Sequence, residues 1–255
     1  MLIVTHFRTS VTAPESDAPN VRATQLITRP GTLPTITIPI VKGRWPDVDG
    51  IWSYLREPAE FFGIAMPAPA ALTVALTDFA ATTDVASTAV SVVIVETDGE
   101  SEVVVTGAAV RPLSTTPVRI CVDDSVPHAH RASDPQWRRM AARTTSRGEL
   151  DQRQRWLDGC GYADALSGGE PLLGALVMDT PRGILGVENP EPTSVLDQLT
   201  ECGAAAPITR VAQPPADAVR AWWVSPTFET HPVAELAGVH LPSDVEAAPS
   251  FARWT

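Results

Sequence analysis

The spacing of apolar residues changes several times along the chain, and each change marks an element. Leu33 to Val41, LPTITIPIV, alternates β-branched with other residues and predicts a strand. Pro39 within it points to a sheet edge or a bulge, because proline cannot donate to a ladder. Between Asp47 and Ile64, residues Ile51, Leu55 and Phe62 fall on one side of a helix. Pro58 then either starts a second helix or kinks the first. Pro67 to Ala80 predicts a further helix. Ala86 to Glu96, ASTAVSVVIVE, reads as a strand, Asp98-Gly99 as a turn, and Ser101 to Val110 as the returning strand. Pro117 to Val122 is a short third strand. Residues 11–34 are rich in Thr, Ser, Pro and Asp and read as loop or a weakly ordered edge.

Asp123 to Pro135 carries Pro127, Ser133 and Pro135 and reads as a linker. The division is drawn there, giving a smaller N-terminal α+β domain, 1–125, and a C-terminal α+β domain, 126–255. A basic start with Arg138, Arg139, Arg143 and Arg147 leads into a helix over 146–158. Strands are predicted near 162–166, 172–178 and 184–187. Pro192 to Cys202 reads as a helix stopped by Gly203. Short strands follow at Ile208 to Ala212, Ala221 to Val224 and Val233 to Leu236. No internal repeat interrupts this order.

Composition narrows the function classes. The 255 residues are 44% hydrophobic and 19% charged, as in a globular chain. A formal charge of −11 disfavours binding of nucleic acid or anionic membrane by bulk electrostatics. No apolar run reaches the roughly 18 residues of a membrane-spanning helix. The start, MLIVTHFRTS, lacks the flanks of a signal peptide. Cys121, Cys160 and Cys202 are far apart and odd in number, which suits reduced thiols and a cytoplasmic location. Lys42 is the only lysine among 19 basic residues, so any lysine chemistry has one candidate.

The stretch Trp137 to Leu166 resembles the middle of the class IV aminotransferases, which include D-amino-acid and branched-chain aminotransferases and aminodeoxychorismate lyase. The family pattern is a lysine, Asn-Arg, a helix, a glycine and an Asp/Glu-Ala-Leu strand. A second anchor is Asp217 to Gly238, where Pro232-Val233 and Gly238 match after an apolar strand. The resemblance implies a two-domain α+β fold of the D-amino-acid aminotransferase type, a homodimer, and a ligand cleft between the domains. Ser225 and Thr227 fall where the family binds the phosphate of pyridoxal phosphate (PLP), and Thr193-Ser194 resembles another phosphate contact. Two readings stand for these residues: anion contacts at a loop and a helix start, or caps and turns.

The same alignment lacks the family's cofactor apparatus. Counting back from Gly161 places Arg143 at the Schiff-base lysine, and a guanidinium offers no amine for an aldimine. Leu173 stands at the carboxylate that pairs with the pyridinium nitrogen. Tyr54, before Leu55, stands at the phosphate-binding arginine, with Arg56 as the nominee of a shifted register. No cofactor is expected, and PLP can enter only as a weak, non-covalent ligand. Arg143 and the pair Glu229 and His231 are the candidate catalytic groups. Tyr54, Arg147, Thr193, Ser194, Ser225 and Thr227 are the candidate ligand contacts, for a small carboxylate or phosphate metabolite.

Other features have plainer readings. Lys42 reads as a solvated strand-end lysine, and His128 and His130 as loop residues without a third metal ligand. Cys160 belongs to a helix end, and Trp222-Trp223 to core and contact surface. Three functions remain open: a PLP-independent enzyme of lyase or transferase type, a non-catalytic partner or regulatory subunit, and a residual PLP enzyme.

Overall fold

The structure, a computed structural model, describes residues 5–9, 32–83, 86–97, 100–124, 134–188, 193–244 and 248. His128 and His130 lie outside the described residues, as does most of the 11–34 stretch. Among the described residues no helix is long and apolar enough to cross a membrane, and no group of metal-ligating side chains forms.

The first sheet is antiparallel and follows the predicted alternation. It comprises β1 (Thr5–Thr9), β2 (Thr35–Val41), β3 (Ser87–Thr97) and β4 (Glu100–Ala109) in the order β1-β4-β3-β2. β2 is an edge strand, where Pro39 is tolerated opposite Ala89. Helices α1 (Val48–Phe62) and α2 (Pro69–Thr82) cover one face. Ile36, Ile38, Ile40, Ile51, Leu55, Leu76 and Phe79 bury there together with Val90 and Val92. Asp47 caps α1 by accepting from Gly50 N at 2.9 Å. α1 runs unbroken through Pro58, so no second helix starts there. Pro58 lacks the N–H that would bond the Tyr54 carbonyl, and burial of its ring offsets that loss.

Among the described residues the second sheet has nine strands. Its path is β10 (Thr209–Arg210), β9 (Gly183–Glu188), β8 (Ala175–Thr180), β11 (Arg220–Val224), β12 (Thr230–Leu236), β5 (Val118–Val122), β6 (Asp164–Ser167) and β7 (Glu170–Pro171), with β13 (Val239–His240) beside β12. β5 precedes the 125/126 division drawn from the sequence, yet it pairs in parallel with both β12 and β6. Sheet membership therefore changes between Ala109 and Val118. Trp222 and Trp223 are both buried in β11.

The helices of the second half are α3 (Gln136–Ala142), α4 (Gly148–Cys160) and α5 (Val195–Glu201). α3 was not anticipated, although Ala, Arg and Met favour helix. α4 ends at Cys160, and Gly161 takes the left-handed cap conformation at φ 77°.

The two sheets are joined by core and by backbone. Val41 and Ala89 of the first sheet pack with Leu196, Leu199, Val224 and Phe228. Each of these buried Val, Leu and Phe side chains contributes about 1.5–3 kcal/mol. The α3–α4 turn is stitched to the start of β2 by Thr35 N to Arg143 O at 2.9 Å and Thr145 N to Leu33 O at 2.9 Å.

Candidate functional site

A cavity of about 170 Å³ lies where β2, α1, the α3–α4 turn, the β9–α5 segment and two loops meet. β2 contributes Thr35, Ile36 and Thr37, and α1 contributes Tyr54. Ala142, Arg147 and Leu150 enter from the α3–α4 region. Glu188, Thr193, Ser194, Val195 and Gln198 come from β9 and α5 and their connection. Leu172, Leu173, Gly174, Pro226 and Phe228 complete the wall.

The turn at residues 172–174 is held by one buried carboxylate. Asp164 accepts from the backbone N–H groups of Ala165 at 2.7 Å, Leu172 at 3.1 Å, Leu173 at 3.1 Å and Gly174 at 2.9 Å. Trp223 Nε1 donates to it at 2.8 Å. Burial pushes the Asp164 carboxyl up, and the N–H donors pull it the other way. A protonated carboxyl would point its O–H at these donors, so the nest is built for the ionised form. Gly174 is required at its place, since an added Cβ would lie 2.2 Å from Val224 O. The result is a rigid turn that presents Leu172 and Leu173 to the cavity.

The helix start that resembled a phosphate site is already occupied from within. Glu188 Oε2 accepts from Leu196 N at 3.1 Å, and Ser194 Oγ lies 2.9 Å from Glu188 Oε1. Ser194 is the N-cap of α5, accepting from Asp197 N, and Thr193 sits in left-handed backbone at φ 62°. Arg210 clamps Glu188 through Nε at 2.6 Å and through Nη2, and also reaches Asp197 Oδ1 at 2.7 Å. Burial raises the Glu188 pKa above the usual carboxylate range. An internal carboxylate thus stands at the α5 N-terminus, in the role of cap.

The Ser225 loop is likewise organised around its own hydroxyl. Ser225 Oγ accepts from Glu229 N at 3.1 Å and Thr227 N at 3.3 Å, and lies 3.0 Å from Thr227 Oγ1. Pro226 and Phe228 line the cavity, whereas Ser225 and Thr227 do not. His231 Nδ1 donates to Thr116 O at 3.3 Å, and its Nε2 lies 3.7 Å from Glu229 Oε2. The Glu229–His231 pair therefore forms, but apart from the cavity lining.

The two arginines of the α3–α4 turn have different places. The alignment with the family's Schiff-base lysine implies a place for Arg143 at the ligand site. Arg143 closes α3 instead, is 7% exposed, and is absent from the lining. Its guanidinium stacks 4.6 Å from the Tyr54 ring centroid, and Nη1 donates to Glu57 Oε2 at 2.5 Å. Arg147, four residues on at the N-cap of α4, lines the cavity, and its buried Nε has no hydrogen-bond partner among the described residues. Burial raises the Tyr54 pKa, against the opposing fields of Arg143 and Arg147, and so keeps the phenol a donor.

Of the sequence nominees, Tyr54, Arg147, Thr193 and Ser194 meet at the cavity, with Leu173, the residue at the family's carboxylate position, in the same wall. Gln198 and Glu188 were not anticipated. Gln198 had a legible signal: it is a polar residue on the face of α5 shared with Val195, Leu196 and Leu199. Glu188 had none, because its role depends on a helix that follows it in space.

No family model matches the chain, and no curated protein matches its sequence. Solved structures do match. A hypothetical aminotransferase from Mycobacterium tuberculosis, in its PLP-bound form, aligns at 19% identity and a TM-score of 0.63, covering 100% of this chain and 97% of that one. A fold IV transaminase from Curtobacterium pusillum aligns at 16% identity and a TM-score of 0.60, covering 96% and 90%. A putative 4-amino-4-deoxychorismate lyase from Legionella pneumophila aligns at 12% identity and a TM-score of 0.59, covering 97% and 95%. The fold is therefore the class IV aminotransferase-like α+β fold that the sequence resemblance implied.

A covalently held PLP would need a primary amine in this cavity. None of the lining residues carries one. Lys42, the only lysine in the sequence, is exposed in the turn after β2. Leu173 stands in the wall as well.

Proposed function

We propose that this aminotransferase-fold chain binds a small carboxylate or phosphate in the cavity and acts on it without a Schiff-base cofactor. The observation that carries the reading is Arg147: a cavity-lining guanidinium whose buried Nε is unpaired among the described residues. Tyr54 stands beside it as a neutral donor. Guanidinium meets carboxylate and phosphate through paired donors, and the low-dielectric wall of Leu150, Leu172 and Leu173 strengthens that contact. Arg143 supports the arrangement from behind by holding the Tyr54 ring.

Thermal-shift titration with inorganic phosphate and benzoate tests this. Wild type is stabilised by at least one of them, approaching 2.7 kcal/mol at about a hundred times Kd. Arg147→Ala weakens that binding by roughly ten- to a hundredfold, and Lys42→Met leaves it unchanged. The decisive contrary result comes from adding PLP, reducing with borohydride and mapping the adduct. A stoichiometric pyridoxyl group on Lys42 with transaminase turnover would restore the residual-PLP reading.

A second reading, a partner subunit or a homodimer, draws on two exposed indoles, Trp137 at 61% and Trp156 at 47%. Sedimentation of wild type against a Trp137→Ser/Trp156→Ser variant tests it, and a monomeric wild type removes the homodimer.

A further inference from the structure

A second buried polar atom without a partner among the described residues belongs to a residue of the cavity wall. Gln198 is 4% exposed and lines the cavity. Its Nε2 donates to the Thr193 carbonyl at 2.7 Å. A carbonyl only accepts, so this contact fixes which end of the amide is nitrogen. The other end, Oε1, is buried with no hydrogen-bond partner among the described residues. A buried acceptor left without a donor carries a desolvation penalty that a ligand can relieve.

We infer that Gln198 reads a neutral hydrogen-bond donor, a hydroxyl or amide N–H, on the small anion that Arg147 holds. This rests on the reading that Arg147 binds the anionic group. A neutral donor fits better than an ammonium because the nearby negative charge is already spent. Glu188, on the same wall, is paired with Arg210 and bonded to Leu196 N and Ser194. Size adds a limit. About 170 Å³ is close to engineered cavities of about 150 Å³ that admit benzene. The apolar wall of Leu172, Leu173, Val195 and Phe228 suits a ring or a short chain between the polar groups. The ligand class is thus a small hydroxy- or amide-bearing carboxylate with an apolar middle.

The test uses benzoate, 3-hydroxybenzoate and 4-hydroxybenzoate as probes, titrated by ligand-observed NMR against the full chain. Wild type binds one hydroxybenzoate about tenfold more tightly than benzoate, the share of one satisfied hydrogen bond. In Gln198→Leu and Gln198→Met the ratio of hydroxybenzoate to benzoate affinity falls to about one. Equal binding of the three probes by wild type overturns the inference, as does a preference that survives in Gln198→Leu. Benzoate binding that needs Arg147 but shows no hydroxyl preference sinks the Gln198 inference alone. No binding of any of the three probes sinks the Gln198 inference, and the anion reading falls with it only if inorganic phosphate fails to stabilise the chain as well. The wild-type comparison decides the matter even if the leucine variant does not fold.

Discussion

Replacing Asp164 by asparagine tests how the cavity wall is built. The carboxylate uses both oxygens: Oδ1 accepts from Ala165, Leu172 and Leu173, and Oδ2 from Leu173, Gly174 and Trp223 Nε1. Asparagine keeps one oxygen and turns an NH₂ towards the other set. In the less disruptive orientation, Gly174 N and Trp223 Nε1 lose their acceptor and meet donors. Each stranded buried donor costs about 1–3 kcal/mol, so the loss is roughly 2–6 kcal/mol. For a chain of this length that lowers Tm by on the order of 10 °C. Urea denaturation, followed by tryptophan fluorescence, measures it. Trp223→Phe provides the partner for a double-mutant cycle, which should return a coupling of at least about 0.5 kcal/mol. Anion binding should weaken in Asp164→Asn as well, because Leu172 and Leu173 lose their anchor. A loss below about 1 kcal/mol with no coupling would refute the reasoning. It would mean that burial, rather than the N–H donors, sets the protonation of this carboxyl.

Gly174→Ala should cost about 1–3 kcal/mol or more, because its Cβ would sit 2.2 Å from Val224 O and 2.7 Å from Trp223 Nε1. Stability within about 0.5 kcal/mol of wild type by the same denaturation would rule out the close approach. Glu188→Gln should change how stability depends on pH. Burial raises the folded pKa of Glu188 above its ordinary 4.5, so the folded state holds this proton longer than the unfolded state. The group's favourable contribution is complete below 4.5 and is lost as pH rises through the folded value. The variant lacks that loss, so its stability relative to wild type should rise with pH across that window. Denaturation curves from acid to neutral pH check this, and a flat or falling difference contradicts it.

Period and composition determined much of this protein. The alternation in β2, β3 and β4 and the helical spacing in α1 and α2 are local properties of the chain, set by which residues can share one face. The resemblance around Arg143 and Pro232 pointed to the right fold, because strand and helix order survives when site residues change. Of the ligand contacts named from the sequence, Tyr54, Arg147, Thr193 and Ser194 line the cavity, whereas Ser225 and Thr227 do not. Tertiary structure decided what spacing could not. Arg143 and Arg147 are four residues apart and chemically identical, yet Glu57 and Tyr54 on α1 capture Arg143 and leave Arg147 to the cavity. β5 joins the second sheet because β12, more than a hundred residues later, offers it a parallel edge. The α5 start became a filled cap instead of an open anion site because β9 delivers Glu188 to it and Arg210 fastens it there. In each case the deciding partner is remote in sequence, and only packing brings its charge or its hydrogen-bonding edge into reach.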